Sequence, residues 1–279
     1  MKVKAVNIRT HYWRPGTDYA SEIVEKVRGL VEDDDIIIVS EKALSTASGF
    51  LVDEAKVKPG YVARLLAGPW TRRVWGGPLG TITGLKKQTI VNLRNYPAEE
   101  GAAHKQVALR TVGLLQSMRH YSEGGIDASN LPYSYVSLPL RDPGKVASEI
   151  KEAVNTRMGK RVTVMIVDGD TTYSWRNLHI APRRVEFPGL VHLGGFLTFI
   201  TGKVLRLQAR QTPIASSGGS VNPDRALWLA RLHHRLCGRG AGRTVWSMSR
   251  EMETSLTGVT WQMLESVRHY PITVVRFSV

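Results

Sequence analysis

The chain has 279 residues, of which 42% are hydrophobic and 22% charged, so it is long enough for a large buried core and ordinary in composition for a soluble globular protein. Its apolar runs are too short to cross a bilayer, and residues 1–13 alternate like an edge strand rather than a signal peptide. The single cysteine, Cys237, excludes an internal disulfide framework and predicts a reducing, cytoplasmic location.

The net charge of +14 is concentrated in one segment. Residues 176–250 contain twelve Lys and Arg residues but only two acids, Glu186 and Asp224. Such a local excess of positive charge favours an anionic partner, such as a nucleotide, a phosphorylated cofactor, polyglutamate or nucleic acid. A solvated basic face is the alternative interpretation.

The first elements in chain order are a strand, a helix and a second strand. Alternation predicts a strand at Lys2–Arg9, and apolar residues at helical spacing predict a helix from about Asp18 to Val31. Ile36–Val39 is fully apolar, as in a strand buried on both faces. The polar residues that follow this strand include Glu41, Lys42, Ser45 and Thr46. We interpret this strand end as a candidate site, with a solvated loop as the alternative.

The segment between residues 51 and 122 has weaker patterns. A short helix is predicted at about Pro59–Ala67. Gly, Pro and Trp residues predict an ordered loop at Gly68–Thr83, and Thr89–Leu93 is interpreted as a strand. Val107–Met118 fits either a strand or a helix.

Glu123–Pro132 is a polar stretch that begins with paired glycines. Glycine pairs allow a tight backbone or the close approach of a ligand. Asp127 is a candidate metal ligand, and Asn130 is a candidate for reading a base or sugar edge. Equally, Asp127 or Ser129 is suited to cap a helix or to form an Asx-turn.

A strand, a helix and a second strand follow. They are predicted at Tyr135–Leu140, from Asp142-Pro143 to Gly159, and at Val162–Val167. This order suggests a crossover unit in a mixed sheet.

The strand at Val162–Val167 is predicted to stop at a polar run. This run consists of Asp168, Gly169, Asp170, Thr171 and Thr172. Carboxylates and hydroxyls at the end of a buried strand are the hard oxygen ligands that Mg²⁺ or Mn²⁺ prefers, with a phosphate-bearing substrate in the remaining positions. The alternative is an ordinary polar turn.

The last third of the chain predicts a strand near Val204–Ala209, helices at Asn222–Leu236 and Glu251–Tyr270, and a closing strand at Pro271–Phe277. Together these elements predict an α+β, or mixed α/β, fold with mixed sheets and packed helices.

Four stretches, in order along the chain, resemble the coenzyme F-420 gamma-glutamyl ligase family, of which this chain is identified as a divergent member of the archaeal type. They are RPGTDYASEIVEKVRGLVEDDDIIIVSEKALSTASG, GGIDASNLP, DPGKVASEIKEAVNTRMGKRVTVMIVD and HYPITVVRF. The resemblance implies one domain of the gamma-glutamyl ligase type over residues 1–279, with two intertwined lobes at about 1–120 and 121–279, and a homodimer.

The resemblance also implies the reaction. Such a ligase adds L-glutamate through a gamma-glutamyl amide bond to a phosphorylated deazaflavin, a phosphodiester precursor of coenzyme F-420. It uses GTP and Mg²⁺ or Mn²⁺. Forming an amide in water requires an activated carboxylate, typically an acyl phosphate, and charge neutralisation around the transferred phosphate.

Site residues are carried over from the matching positions. Asp127 and Asp168 would bind divalent metal, Asn130 would contact the nucleotide, and Lys42 with Ser45 and Thr46 would lie at the GTP site. Asp170 and Thr171 are candidates to replace the family's Asp-Thr pair. Arg176, Arg206 and Arg210 are candidates to neutralise phosphate or to orient glutamate carboxylates.

This sequence departs from the family pattern at two of these places. Thr46 stands where the family usually has Lys, and the run after Asp168 is one residue longer. These departures leave open a second hypothesis: a relative without the ligase activity whose basic residues bind nucleic acid or another polyanion. The sequence shows no recognised nucleic-acid motif in support of it.

Overall fold

The computed structural model describes residues 2–121 and 123–278. Its largest element is a seven-stranded mixed sheet. The strands of the fold are β1 (Lys2–Thr10), β2 (Ile36–Ser40), β3 (Leu51–Asp53), β4 (Tyr135–Ser137), β5 (Thr163–Trp175), β6 (Leu178–Ala181), β7 (Leu190–His192), β8 (Gln208–Ser217) and β9 (His269–Ser278). The main sheet has the order β1-β9-β2-β5-β6-β7, with β8 paired to β5 as well, while β3 and β4 form a separate two-stranded sheet.

Helices make up much of the remaining described chain. They are α1 (Tyr19–Val27), α2 (Glu41–Ala47), α3 (Tyr61–Leu65), α4 (Pro78–Ile82), α5 (Lys87–Arg94), α6 (Glu99–Thr111), α7 (Leu114–Ser117), α8 (Pro143–Met158), α9 (Gly195–Val204), α10 (Pro223–Leu236), α11 (Val245–Glu251) and α12 (Trp261–Glu265). A 3₁₀ turn spans Glu54–Lys56, and a π-helix spans Leu66–Trp75. The predicted mixed α/β class is confirmed. Within the described residues, no helix is long and apolar enough to span a membrane.

The central strands are apolar on both faces because each face is covered by helices. Successive side chains of a strand point to opposite faces. Accordingly, Ile37 and Val39 of β2 pack in a cluster with α1 and α8, whereas Ile36 and Ile38 pack with α10. The main sheet is therefore the middle layer between α1 and α8 on one side and α10 on the other.

The register of β2 and β5 determines which residues lie side by side at the candidate site. These strands run parallel, with Ile36 opposite Thr163 and Ser40 opposite Val167. The residues that follow, Glu41 and Asp168, therefore lie side by side where the parallel pairing of β2 and β5 ends. Ligand sites of open α/β sheets form at this carboxyl edge of the strands.

The helix predicted after Asp142 is confirmed, since α8 spans Pro143–Met158 and is followed by Gly159, which adopts φ 66°. The predicted crossover partner is wrong. β4 pairs with β3 in the small sheet, and the parallel neighbour of β5 is β2.

The prediction that the central strand stops at Asp168 is also wrong. β5 continues to Trp175 because the antiparallel strand β8 supplies hydrogen-bonding partners along this extension. The register shifts between Asp168, which pairs with Thr212, and Thr171, which pairs with Gln211. Two residues thus lie between consecutive partners, which is a bulge.

Four other predicted elements are wrong. Gly68–Thr83 is mostly helical rather than a loop, Thr89–Leu93 lies in helix α5, and Glu251–Tyr270 is divided among α11, α12 and the start of β9. Val204–Ala209 spans the end of α9 and the start of β8. Local propensity is a weak guide where packing decides, and the fully buried Trp75 and Leu93 show packing around these helices.

Candidate active site

A cavity of about 880 Å³ opens at the shared edge of β2 and β5. Lys42 and Thr46 reach it from α2, directly after β2, and Asp168 reaches it from β5. Asp127 and Asn130 reach it from the loop between α7 and β4. With Asp170, which also lines it, six of the eight predicted metal-binding and nucleotide-binding residues share one cavity.

The bulge in β5 turns Asp168, Gly169 and Asp170 towards this cavity. The bulge is held from β8, since the Thr212 hydroxyl donates to the Asp170 carbonyl oxygen at 2.8 Å. Thr171, the fourth residue predicted to bind metal, is outside the cavity lining and pairs with Gln211 in the sheet. The extra residue of this run is accommodated by the bulge.

Asp168 is one member of a buried ionic group with Arg183 and Glu41. The Arg183 guanidinium contacts the Glu41 carboxylate and lies 3.3 Å from Asp168 Oδ2. Glu41 Oε1 also accepts a hydrogen bond from the Leu140 backbone N–H at 3.0 Å. Arg183 therefore fixes Asp168 relative to the end of β2.

The charges in this group oppose one another. Burial raises the pKa of Glu41 to about 7, although the Arg183 charge acts to lower it. Burial alone would lower the pKa of Arg183, but Glu41 and Asp168 raise it above its ordinary value. Arg183 thus remains a fixed positive charge behind Asp168 at every physiological pH.

Lys42 and Asp127 form a second ion pair on the cavity wall. Lys42 Nζ also donates to Ser129 Oγ at 2.9 Å and to the Ser129 carbonyl oxygen at 3.2 Å. Asp127 Oδ1 accepts from the Ser129 backbone N–H at 2.7 Å, which is the Asx-turn that the sequence allowed. The Asx-turn and the cavity position occur together, so they were not true alternatives.

Asn130 joins the loop between α7 and β4 to the loop that follows α10. Its side-chain Nδ2 donates to the Gly242 carbonyl oxygen at 2.8 Å, and its Oδ1 accepts from the Ala241 backbone N–H at 2.6 Å. Its backbone has φ 56°, in the left-handed region that Asn tolerates better than most residues. Gly240 lies so close that an added Cβ would be 2.4 Å from Asn130 Oδ1.

The remaining predicted residues lie elsewhere. Ser45 is buried in α2 and is not part of the cavity lining. Arg176 lies over the ring of Trp175, Arg206 is exposed, and Arg210 donates to Asp224 Oδ1 at 2.8 Å. The structure does not bring these three arginines to the cavity.

Comparison with known proteins identifies the family of this chain. The model of the family described as F420-0:Gamma-glutamyl ligase matches residues 7–182, which is more than half of the chain. The chain belongs to this family. It is also 32% identical to an uncharacterized protein, MJ1361, of Methanocaldococcus jannaschii, over 99% of this chain and 97% of that protein.

The matched segment of the gamma-glutamyl ligase family contains both strand ends and the Asp127 loop. It stops one residue before Arg183, so the loops after α10 that complete the cavity lie outside it. Arg239 and Arg243 come from the loop after α10, Trp246 comes from α11, and the imidazole of His234 in α10 lies against Gly169. No local sequence pattern predicted that these residues would lie near Lys42 and Asp168.

A buried ionic network, which the sequence analysis also missed, lines the far end of the cavity. Lys105 is 0% exposed, and its Nζ donates to Glu123 Oε1 at 2.6 Å and to the Arg119 carbonyl oxygen at 2.5 Å. His104 Nδ1 lies 2.7 Å from Glu54 Oε1, and its Nε2 lies 3.5 Å from Glu123 Oε2. Burial alone would lower the pKa of His104, but the two carboxylates raise it to about 10.

The residues fit the divalent metal that the family implies, although they do not form a closed cage. Within the described ranges, no three His, Cys, Asp or Glu side chains converge as a ready-made metal site. Mg²⁺ in nucleotide enzymes needs only one or two carboxylates, with water and phosphate oxygens in the other positions. Asp127, Asp168 and Asp170 offer such oxygens in one cavity.

Proposed function

We propose that this member of the gamma-glutamyl ligase family uses GTP to join L-glutamate to a phosphorylated deazaflavin acceptor, with Mg²⁺ or Mn²⁺ as the cofactor. The observation that supports this most strongly is the meeting of Lys42, Asp127 and Asp168 in one cavity at the ends of two parallel strands. Activation of a carboxylate as an acyl phosphate, followed by attack of an amine, needs cations and oxygen ligands at such a place.

Asp127 and Asp168 would hold the metal, with Asp170 beside them. When bound, a divalent cation would neutralise phosphate charge and align the phosphate with the acceptor carboxylate. Lys42 would contribute a further positive charge next to Asp127. Arg183, fixed by Glu41, would orient Asp168.

The phosphate and glutamate carboxylate groups need additional cations. Arg239, Arg243 and Arg268 line the cavity, so we propose them in place of Arg176, Arg206 and Arg210 for this role. Of the twelve basic residues in the segment 176–250, Arg239 and Arg243 line the cavity, and Arg183 and Arg210 form ion pairs.

The test is product formation from purified protein, GTP, Mn²⁺, L-glutamate and the phosphodiester acceptor. Mass spectrometry should detect addition of one glutamyl group and release of GDP. We expect Asp168→Asn to lower the rate at least about 100-fold, which corresponds to about 2.7 kcal/mol. Asp224→Asn, whose carboxylate lies outside the cavity next to Arg210, is the matched control and should retain the wild-type rate.

No glutamylated product from the wild type, with intact folding, would exclude the proposed activity. The implied homodimer is proposed with it, and light scattering of the same preparation would measure the mass. A cytoplasmic location remains part of the proposal.

A further inference from the structure

Two groups of side chains of different chemistry line the cavity. The first, which we call the ionic end, contains Lys42, Asp127 and Asp168. The second, which we call the aromatic end, consists of Tyr96, His120, Tyr121 and Trp246. The ring of Trp246 lies 6.0 Å from that of Tyr96 and 5.4 Å from that of Tyr121, measured between centroids.

The rings of the aromatic end are fixed by packing beneath them. Tyr96 is 5% exposed, and its ring occupies the space that a Cβ at Gly101 would fill, since that atom would lie 2.2 Å from Tyr96 Cε1. His120 is packed against Trp75, with ring centroids 4.5 Å apart. An apolar ligand would therefore meet a surface that is already ordered, which lowers the entropic cost of binding.

The buried charges beside the aromatic end are paired, and the exposed acids Glu99 and Glu100 also line the cavity. Glu54 and Glu123 are matched by Lys105 and His104, which are in contact with them. This end thus lacks the excess positive charge that phosphate groups require, in contrast to the end with Lys42, Arg239 and Arg243. A planar ring without a net charge suits it, because aromatic side chains bind ring faces by stacking.

We propose that the aromatic end binds the planar ring of the acceptor, so that the acceptor's phosphodiester arm extends towards Lys42 and Asp168. This inference rests on the proposed function for its orientation. A guanine base is also a planar ring, but Lys42, Thr46 and Asn130, which the family resemblance implies for the nucleotide, are among the cavity residues outside the aromatic end. The deazaflavin ring is therefore the ring assigned to Trp246.

The test uses two probes that lack phosphate: the deazaflavin riboside without its phosphodiester arm, and guanosine. Each is titrated into wild type, Trp246→Ala, Trp246→Phe and Tyr121→Ala by calorimetry. Trp175→Ala is the matched control, because Trp175 is 60% exposed and outside the cavity lining. Thermal melting and GTP binding of each variant report whether the fold is intact.

We expect the riboside to bind the wild type and Trp175→Ala alike, with at least about tenfold weaker binding to Trp246→Ala and Tyr121→Ala. Trp246→Phe should keep most of the affinity, since a smaller ring still stacks. If Trp246→Ala fails to fold, Tyr121→Ala and Trp246→Phe still test the site, and the proposal then requires tenfold weaker binding in the first and near-normal binding in the second.

Other outcomes overturn the inference. One is that both alanine variants bind the riboside as tightly as the wild type. Another is that the folded wild type does not bind the riboside at millimolar concentration. A third is that the alanine variants lose guanosine binding but keep riboside binding. Failure of the proposed function is distinguishable. A protein that does not bind GTP, but binds the riboside through Trp246, would contradict the ligase proposal and leave the aromatic site in place.

Discussion

Replacing Lys105 with methionine tests the buried ionic network beside the cavity. Methionine keeps a similar unbranched apolar stem but removes the ammonium group. The substitution leaves the Glu123 carboxylate, which is nearly fully buried, with His104 at 3.5 Å as its remaining ion-pair partner among the described residues. It also removes the donor to the Arg119 carbonyl oxygen.

The expected loss of stability follows from these contacts. Removing one partner of a buried ion pair costs about 3–5 kcal/mol, because an uncompensated charge remains. His104 retains part of the compensation, so we expect a value near the lower end, about 3 kcal/mol. Since typical proteins unfold with about 5–15 kcal/mol, this is a large fraction of the total.

Urea denaturation followed by circular dichroism measures the change in the free energy of unfolding. Lys56→Met is the matched control, because Lys56 pairs with Asp53 at 3.3 Å but its side chain is 82% exposed, and it should change stability by less than about 1 kcal/mol. The double variant Lys105→Met/Glu123→Gln should recover part of the loss, since it removes the isolated charge. A loss below about 1 kcal/mol for Lys105→Met would refute this account of the network.

Three further predictions follow from single contacts. The pKa of His104 is raised from 6.5 to about 10, so the stability that its charge contributes is complete below about pH 6.5 and is lost as the pH rises towards 10. His104→Gln should therefore flatten this part of a plot of unfolding free energy against pH. An unchanged slope would contradict the prediction. Gly125 has φ 91°, and an added Cβ would lie 2.9 Å from Arg183 Cζ, so Gly125→Ala should lower the melting temperature by several degrees, whereas Gly159→Ala, at φ 66° with no atom in the way, should have the smaller effect. Asn130→Ala removes both side-chain hydrogen bonds to residues 241 and 242 and should speed proteolysis of that loop; equal cleavage rates in wild type and variant would refute the contact.

The sheet and its two covering layers were predictable because β2, β5 and β9 each contain a short, largely apolar run that needs cover on both faces. Helix α8 was equally clear, with Pro143 at its first position and Gly159 as its terminator. The short helix predicted at about Pro59–Ala67 is confirmed by α3, but most of residues 68–121 were not predicted correctly. Their helices are short and partly irregular, with Pro69 inside a π-helix, and they are stabilised by contacts such as Trp75 with Phe199 that local patterns do not encode.

The strand ends of the candidate site were visible in the sequence, but their completion was not. Polar residues directly after buried strands, at Lys42 and Asp168, are a local signal for a ligand site. Arg183 contacts Asp168 from a loop, and Trp246 lines the cavity from helix α11. No sequence spacing links either residue to Lys42 or Asp168. We chose arginines such as Arg210 from the excess of positive charge in one segment, but Arg210 pairs with Asp224 instead of lining the cavity. The charge of a segment does not show which of its side chains face a cavity.

The most direct test of the central claim is a calorimetric titration of GTP with and without Mn²⁺. Wild type, Asp127→Asn, Asp168→Asn and the control Asp224→Asn are compared in the same buffer. Metal-dependent binding in the wild type and Asp224→Asn, lost in both cavity variants, is the result that we predict. Folded wild type that fails to bind millimolar GTP, or binding that is indifferent to Mn²⁺ and to both cavity substitutions, would contradict the claim that these strand ends form a nucleotide and metal site.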